Sequence, residues 1–209
     1  MIDPAPAALT ARKTPRQSRA KVTLDAIFEA AIQVLIRDGM ASLTTTRVAE
    51  RAGVSVGTMY QYFPNKQALI YALNARYLEA LAERIEATCQ SQHGAAINQM
   101  IDALIDTYWR AKTERAEATR ALYKSVVEMD NDALVQRFAA RTNEATRAML
   151  ISAPNVQFRS PDITHLTLVT VIFGAVRNVF ERNLDPPDAE ALRVELIAMC
   201  QAYVAAARL

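Results

Sequence analysis

Apolar residues recur every three or four positions along most of this chain, which predicts a protein built almost entirely of α-helices. Short breaks rich in Gly, Pro, Asn and Asp separate the periodic stretches. The pattern predicts helices over these approximate ranges: 16 or 19–37, 45–51, 56–62, 66–90, 96–111, 115–129, 132–151, 161–182 and 188–208. Alternating β-branched runs are few, and the chain has only five glycines. We therefore expect an all-α fold of about nine helices.

Two of these helices lie close together in the segment LTTTRVAERAGVSVGTMYQYFPNK, residues 43–66. Thr44 or Thr45 can provide the hydroxyl N-cap of the first helix, and Ser55 can cap the second. Gly53 lies between them, where a tight turn favours a positive φ. The segment therefore predicts a helix-turn-helix, whose second helix has the size to enter a DNA major groove.

The residue types in this segment suit contact with DNA. Free backbone N–H groups and hydroxyls at helix N-termini bind phosphate, and side chains in the groove read base edges. We expect phosphate contacts from Thr45, Thr46, Ser55, Thr58, Tyr60 and Lys66. Gly57 leaves bare backbone that DNA can approach closely. We expect sequence preference to come from Val56, Gln61 and Tyr62, although packing in the core is an equal alternative for Tyr62.

The same segment is similar to the DNA-binding motif of TetR/AcrR-type transcriptional regulators. The matching positions are Val48-Ala49, Ala52-Gly53-Val54-Ser55, Gly57-Thr58-Met59-Tyr60, Tyr62-Phe63, Lys66 and Leu69. The detailed similarity covers about residues 19–73, and beyond it only length and helical organisation agree. The resemblance implies a bacterial source, a three-helix DNA-binding domain at 16–64, and a helical effector-binding and dimerisation domain at 65–209.

The function implied by this resemblance is a dimeric repressor that a small molecule releases from a palindromic operator. Ligand binding among the central helices would tilt the helix that begins at Lys66 and change the separation of the two DNA-reading helices. An activator remains an alternative, because the sign of regulation depends on operator position. A helical ligand-binding protein without a DNA function is the other alternative, and it predicts no salt-dependent DNA binding.

Charge is unevenly distributed, although the whole chain carries only +2. Residues 1–70 contain nine Lys/Arg and five Asp/Glu, whereas the remaining residues contain fifteen and seventeen. The basic excess therefore accompanies the helix-turn-helix, as phosphate binding requires. Residues 1–15 are rich in Pro and Ala and predict a disordered basic arm, which can follow DNA or serve only as a solubilising tail.

The last two long helices carry apolar residues at alternating steps of three and four. Each helix has two such rows, so one row can pack within the subunit and the other against a partner. A homodimer is also how the similar family assembles. The predicted interface residues are Leu166, Val169, Phe173, Gly174, Val176, Phe180, Leu196, Met199 and Tyr203. A wider monomeric core is the alternative, and the pattern leaves open which rows face the partner.

The resemblance implies a small-molecule cavity among the central helices but not its chemistry. The bulky side chains there are candidates for contact with an unidentified effector, although plain core packing is the alternative. These candidates are Tyr108, Trp109, Tyr123, Met129, Phe138, Phe173 and Arg177. Arg120, Lys124 and Asn178 could anchor a polar ligand, and a solvated face is the alternative for each.

Other functional classes lack support in the sequence. Cys89, Cys200, His93 and His165 are isolated, so we expect no metal site, and the two cysteines suit buried free thiols. No catalytic or cofactor-binding motif appears, so we expect no enzyme and no cofactor. No apolar run approaches the ~18 residues of a membrane span, and no signal peptide is evident. We therefore expect a cytoplasmic protein that has no membrane partner.

Overall fold

The computed structural model describes residues 18–128, 131–182 and 184–209. These residues form nine α-helices: α1 (Ser18–Ser42), α2 (Thr45–Ala52), α3 (Val56–Tyr62), α4 (Lys66–Ser91), α5 (Ile97–Thr113), α6 (Ala116–Glu128), α7 (Asp132–Ile151), α8 (Pro161–Arg182) and α9 (Pro186–Ala207). Within the described residues the β-type pairing is a single isolated bridge between Phe158 and Arg208. The all-α prediction is confirmed. The predicted arm at residues 1–15 lies outside the described residues.

The helices belong to two compact units. Unit 1 contains the described residues of 1–79 together with 117–137, and unit 2 contains 80–116 with the described residues of 138–209. Helix α4 therefore begins in unit 1 and ends in unit 2. The predicted domain division at residue 65 stays a prediction.

The core of unit 1 is formed by side chains from α1, α2, α3, the first part of α4 and α6. Phe28 and Phe63 meet at its centre, with ring centroids 5.7 Å apart. Ala118 and Leu122 bring α6 into the same cluster. The buried members from the helix-turn-helix and its flanks are Leu43, Val48, Ala49, Met59, Tyr62, Phe63, Leu69, Ile70 and Leu73. The two short helices are thus held by a core much larger than they could form alone.

The core of unit 2 joins α5, α7, α8, α9 and the last part of α4. Its fully buried residues include Ile85, Met100, Ile105 and Met149. Cys89 and Cys200 are buried free thiols in this cluster, as predicted. Burial raises the pKa of both thiols to about 11.

Two helix ends differ slightly from the predicted ones. Helix α1 extends past the predicted end at Arg37 to Ser42, although Gly39 has a non-helical conformation with φ 74° and ψ 176°. Helix α9 begins at Pro186, earlier than predicted, because Asp185 and not Asp188 is its N-cap. The Asp185 carboxylate accepts a hydrogen bond from the Asp188 backbone N–H at 2.9 Å. Proline in the first helical turn costs no hydrogen bond, since those N–H groups have no partner within the helix.

Across the part of the chain that the structure describes, no helix is both long enough and apolar enough to span a membrane.

Candidate nucleic-acid interface

The turn between α2 and α3 is fixed by backbone and cap hydrogen bonds. The Thr44 hydroxyl accepts from the Arg47 N–H at 3.2 Å, which identifies Thr44 as the cap of α2. Gly53 ends α2 in the left-handed conformation, with φ 67° and ψ 27°, where a side chain would be strained. Val54 then donates its N–H to Ala49 at 3.0 Å and turns the chain toward α3.

Helix α3 has one buried and one exposed face. Met59 is fully buried and anchors the inner face in the core of unit 1. Val56 and Tyr60 are 43% and 42% exposed, respectively, which is unusual for large apolar side chains. The exposed residues of this segment are Ser55, Val56, Gly57, Tyr60 and Gln61. They present an aliphatic group, a phenol, a primary amide and bare backbone on one short helix, which are groups that can contact base edges and phosphates.

Two hydroxyls stand at the N-terminus of α3. The Ser55 Oγ accepts from the Thr58 N–H at 3.0 Å and lies 2.8 Å from the Thr58 Oγ1. One of the two hydroxyls donates to the other, which leaves the second free to donate outward. This pair can therefore both cap the helix and bind a phosphate oxygen. The exposed hydroxyl of Thr46 adds a third donor at the start of α2.

Two of the predicted DNA-contacting residues lie in the core instead. Tyr62 is only 5% exposed and its ring lies 6.3 Å from that of Phe63. Thr45 is 7% exposed. Both side chains pack within unit 1, because a seven-residue helix must use part of its surface to attach itself. We therefore leave Tyr62 and Thr45 out of the interface.

The basic side chains near α2 and α3 are held by neighbouring groups. Arg47 lies 3.3 Å from the Asp38 carboxylate, and Arg51 donates to the Gln33 side-chain oxygen at 2.7 Å. The partly buried Lys66 places its ammonium 3.5 Å from the Met40 carbonyl. An ammonium has three N–H donors, so Lys66 can still meet a phosphate. Arg47 and Arg51 were not predicted as part of the interface, although their i, i+4 spacing places them on one face of α2.

The predicted effector residues are divided between the two units. In unit 2, the Tyr108 and Phe173 rings lie 4.6 Å apart, and Trp109 and Phe138 belong to the same cluster. Arg177 pairs with Glu181 at 2.7 Å. Tyr123 belongs to unit 1. Met129 lies outside the described residues.

A residue of unit 2 that was not predicted is Lys112. It is buried at 6% exposure, and its ammonium lies 5.4 Å from the centre of the Tyr108 ring. Burial, together with the charge of Arg177, lowers the pKa of Lys112 to about 8. The signal was present in the sequence, because Lys112 continues the inward row of α5 four residues after Tyr108. A cation in that row is a candidate partner for an anionic or aromatic ligand.

The predicted dimer residues also divide. Leu166 and Met199 are 55% and 51% exposed, and Gly174 is exposed with open space around its Cα. Phe173 and Tyr203 are partly buried against the core of unit 2, and the Phe180 side chain lies outside the described part of the structure. Three others are buried in that core and therefore cannot meet a partner: Val169, Val176 and Leu196. Steps of three and four fit both rows of a two-sided helix, so spacing alone could not separate them.

Within the described residues, no group of three or more His, Cys, Asp or Glu is placed to hold a metal ion. His165 is buried and its Nε2 lies 2.8 Å from the Thr146 hydroxyl. Burial and the charge of Arg147 lower the pKa of His165, and the opposing charge of Asp162 offsets only part of this effect.

Comparison with known proteins agrees with the geometry of both units. The family model described as bacterial regulatory proteins, tetR family, matches residues 27–73. The model described as tetracyclin repressor-like, C-terminal domain, matches residues 97–203, about half of the chain. The chain belongs to the TetR family of bacterial regulatory proteins.

Individual relatives support the same assignment. The tetracycline repressor protein class C of Escherichia coli is 30% identical over 174 residues, which cover 81% of this chain and 70% of that protein. The nucleoid occlusion factor SlmA of Actinobacillus pleuropneumoniae is 30% identical over 128 residues, 61% of this chain, and the chain spans 62% of its length. A TetR-family regulator of Mesorhizobium loti has the same fold, with a TM-score of 0.71 and 17% identity, over 92% of this chain and 100% of that one.

Proposed function

We propose that this chain is a DNA-binding transcriptional regulator, a dimeric repressor that leaves a palindromic operator in the bacterial cytoplasm when a small molecule binds. The observation that carries the proposal is the exposed polar face of α3, which is mounted on a packed core in a chain of the TetR family. A surface that exposes Val56 and Tyr60 has a use when it lies in a major groove. The tetracycline repressor, a relative by sequence, is named for repression.

The exposed groups divide into two roles. Gln61 can form a two-point contact with adenine, and Val56 can touch a thymine methyl, so these side chains set sequence preference. The phosphate contacts come from hydroxyls and a cation around them, which set affinity on every sequence. These residues are Thr46, Ser55, Thr58, Tyr60 and Lys66, and the bare backbone of Gly57 lets the DNA approach.

Dimerisation uses the exposed rows of α8 and α9. On α8, Ile163, Leu166 and Gly174 are exposed, and on α9 Leu192 and Met199 are exposed. These positions face away from the core of unit 2, so their burial requires a partner. A two-fold dimer would present two copies of α3 to two half-sites of a palindrome.

The effector site is proposed in unit 2, beside the Tyr108–Phe173 ring pair and Lys112. Aromatic faces and a buried cation favour a flat ligand with an acidic group. Helix α4 provides a covalent route for the signal, because its first residues follow the helix-turn-helix in unit 1 and its last residues join the core of unit 2.

Selection from random duplex DNA tests the function for any operator sequence. The wild-type chain should enrich a two-fold symmetric sequence whose half-sites are about one helical turn apart. The control is a variant that carries Val56→Ala, Gln61→Ala and Lys66→Ala, which changes exposed or partly buried groups and leaves Met59 in the core. The variant should enrich no sequence, and a failure of the wild-type chain to enrich any sequence would overturn the proposal.

A further inference from the structure

Unit 1 contains a cleft between the end of α1 and the middle of α6. Its volume is about 460 Å³. Apolar side chains from α1 form one wall, namely Leu35, Ile36 and Met40. Arg120, Lys124 and Ser125 of α6 line the other side. The cleft has the size of a site for a small molecule, since ligand pockets span roughly 300 to 1,000 Å³.

The two cations of the cleft are not neutralised within the part of the chain that the structure describes. The Arg120 Nε is buried and has no hydrogen-bond partner among the described residues. Neither Arg120 nor Lys124 forms an ion pair with a described residue, although the Glu117 carboxylate also lines the cleft. A buried N–H without a partner costs about 1–3 kcal/mol, which a ligand oxygen would recover. Two cations three or four residues apart on one helix also repel each other, and an anion between them would relieve this.

The polar end of the cleft has further unmet hydrogen-bonding capacity. The buried Ser125 hydroxyl lies 2.6 Å from the Asn74 Oδ1 and 2.7 Å from the Leu122 carbonyl. It has one proton, so it can donate fully to only one of these two acceptors. Asn74 has no exposed surface, and its Nδ2 has no partner among the described residues. Ser125 therefore has a competing choice of partners beside the two cations.

We propose that this cleft binds a small carboxylic acid with an apolar body. The carboxylate would meet the Arg120 guanidinium and the Lys124 ammonium, since a guanidinium presents paired N–H donors that match two carboxylate oxygens. The apolar body would lie on Leu35, Ile36 and Met40. Every lining residue belongs to unit 1, whereas the proposed effector residues Tyr108 and Phe173 belong to unit 2. This site is therefore an addition to the proposed function and does not depend on it.

The position of the cleft connects it to the helix-turn-helix. Met40, in its apolar wall, also offers the carbonyl that lies 3.5 Å from the Lys66 Nζ. Leu43, three residues later, is fully buried in the core beside Thr44, the cap of α2. A bound acid would thus contact the segment that leads directly into the DNA-binding helices.

Isothermal titration calorimetry of the full-length chain tests the site. The probes are sodium butyrate, hexanoate, octanoate and benzoate, and the controls are 1-hexanol and hexylammonium. We expect saturable binding of at least one carboxylate, and affinity for the alcohol and the ammonium at least about tenfold weaker. The double variant Arg120→Ala, Lys124→Ala should weaken carboxylate binding by about tenfold or more. The matched control Arg137→Ala, an exposed cation of unit 1 outside the cleft, should leave it unchanged.

A second variant separates loss of the site from loss of the fold. Ala121→Trp fills the cleft while both cations remain, and circular dichroism melting identifies variants that no longer fold. The same loss of carboxylate binding in both folded variants supports the site. The inference is overturned if none of the four carboxylates binds. It is also overturned if binding persists in both variants, or if the alcohol binds as tightly as the acid.

Discussion

Tyr60 and Tyr62 are two positions apart on α3 and have opposite environments, since Tyr60 is 42% exposed and Tyr62 is 5% exposed. Two residues along an α-helix correspond to a rotation of roughly 200°, so side chains at these positions face opposite directions. The same helix therefore uses Tyr62 to attach itself to the core of unit 1 and leaves Tyr60 for a ligand. Similar residues in one motif have different roles because of their phase on the helix.

This relationship predicts opposite effects of substitution. Tyr62→Ala should lower the free energy of unfolding by about 3 kcal/mol, because it empties a packed site. Tyr60→Phe should leave stability within about 0.5 kcal/mol and weaken DNA binding equally on all sequences, because it removes only an exposed hydroxyl. Urea denaturation and fluorescence anisotropy measure the two effects. Tyr62→Phe is the control for lost volume, and a stability loss for Tyr60→Phe equal to that of Tyr62→Ala would contradict the assignment.

Gln61→Ala tests sequence readout. The exposed amide should discriminate one base pair, so the variant should lose about 1–3 kcal/mol of preference at that position and keep its affinity for unrelated DNA. Binding is measured against a panel of duplexes, each with one base pair changed. Lys66→Ala is the comparison, because loss of a phosphate contact should weaken all duplexes alike. An equal loss on every duplex for Gln61→Ala would assign the residue to the phosphate backbone.

The sequence was sufficient for the secondary structure and the DNA-binding motif, because these depend on local patterns. Thr44, Gly53 and Ser55 specify caps and a turn through their own chemistry, and the predicted bounds of α3, α7 and α8 match the structure. The sequence did not determine which side of each helix is buried. Val169 and Leu166 occur in one row of alternating spacing, yet one is 4% and the other 55% exposed. That difference depends on the neighbouring helices, which are set by tertiary packing.

The same limit explains the charged residues that were missed or left open. Lys112 follows the apolar row of α5, but a lysine at such a position can also extend its ammonium to solvent. Only the packing around α5 shows that it is buried beside Tyr108. Arg120 and Lys124 were considered as ligand anchors without a location, and the cleft that they line forms only when α6 meets α1.

Lys112 predicts an unusual pH dependence of stability. The pKa is about 8 in the folded chain and 10.5 for an ordinary lysine, so between these values the unfolded chain binds more protons. The free energy of unfolding should therefore rise with pH across this window, and the cost of burying the charge is fully present below pH 8. The lowered pKa corresponds to an effect of about 3 kcal/mol.

Comparison with Lys112→Met isolates this effect. The variant has no charge to bury, so it should be more stable than the wild-type chain at pH 7, and the difference should shrink toward pH 10.5. Cys89 and Cys200 titrate near the upper limit in both proteins, so their contributions cancel in the difference. Urea denaturation at pH 7 and pH 10 provides the measurement. A difference that stays constant with pH would show that Lys112 is not the cause.

Leu166→Arg tests the dimer interface. Leu166 is exposed in the single chain, so the substitution should leave the fold intact and place a charge in the partner contact. We expect a shift from dimer to monomer by sedimentation velocity, with at least about tenfold weaker self-association. Val135→Arg, at a 44% exposed position of α7, is the matched control. The interface would have to lie elsewhere if Leu166→Arg and Val135→Arg sediment alike as dimers.

The central claim, that the exposed face of α3 binds specific DNA, is tested most directly by fluorescence anisotropy at several salt concentrations. The duplex is the sequence that the wild-type chain enriches from random DNA, and a scrambled duplex of the same composition is the control. We predict binding to the selected duplex at least about 1,000-fold tighter than to the scrambled one, with affinity for both falling steeply as salt rises. Equal binding of both duplexes, or affinity unchanged by salt, would contradict the account.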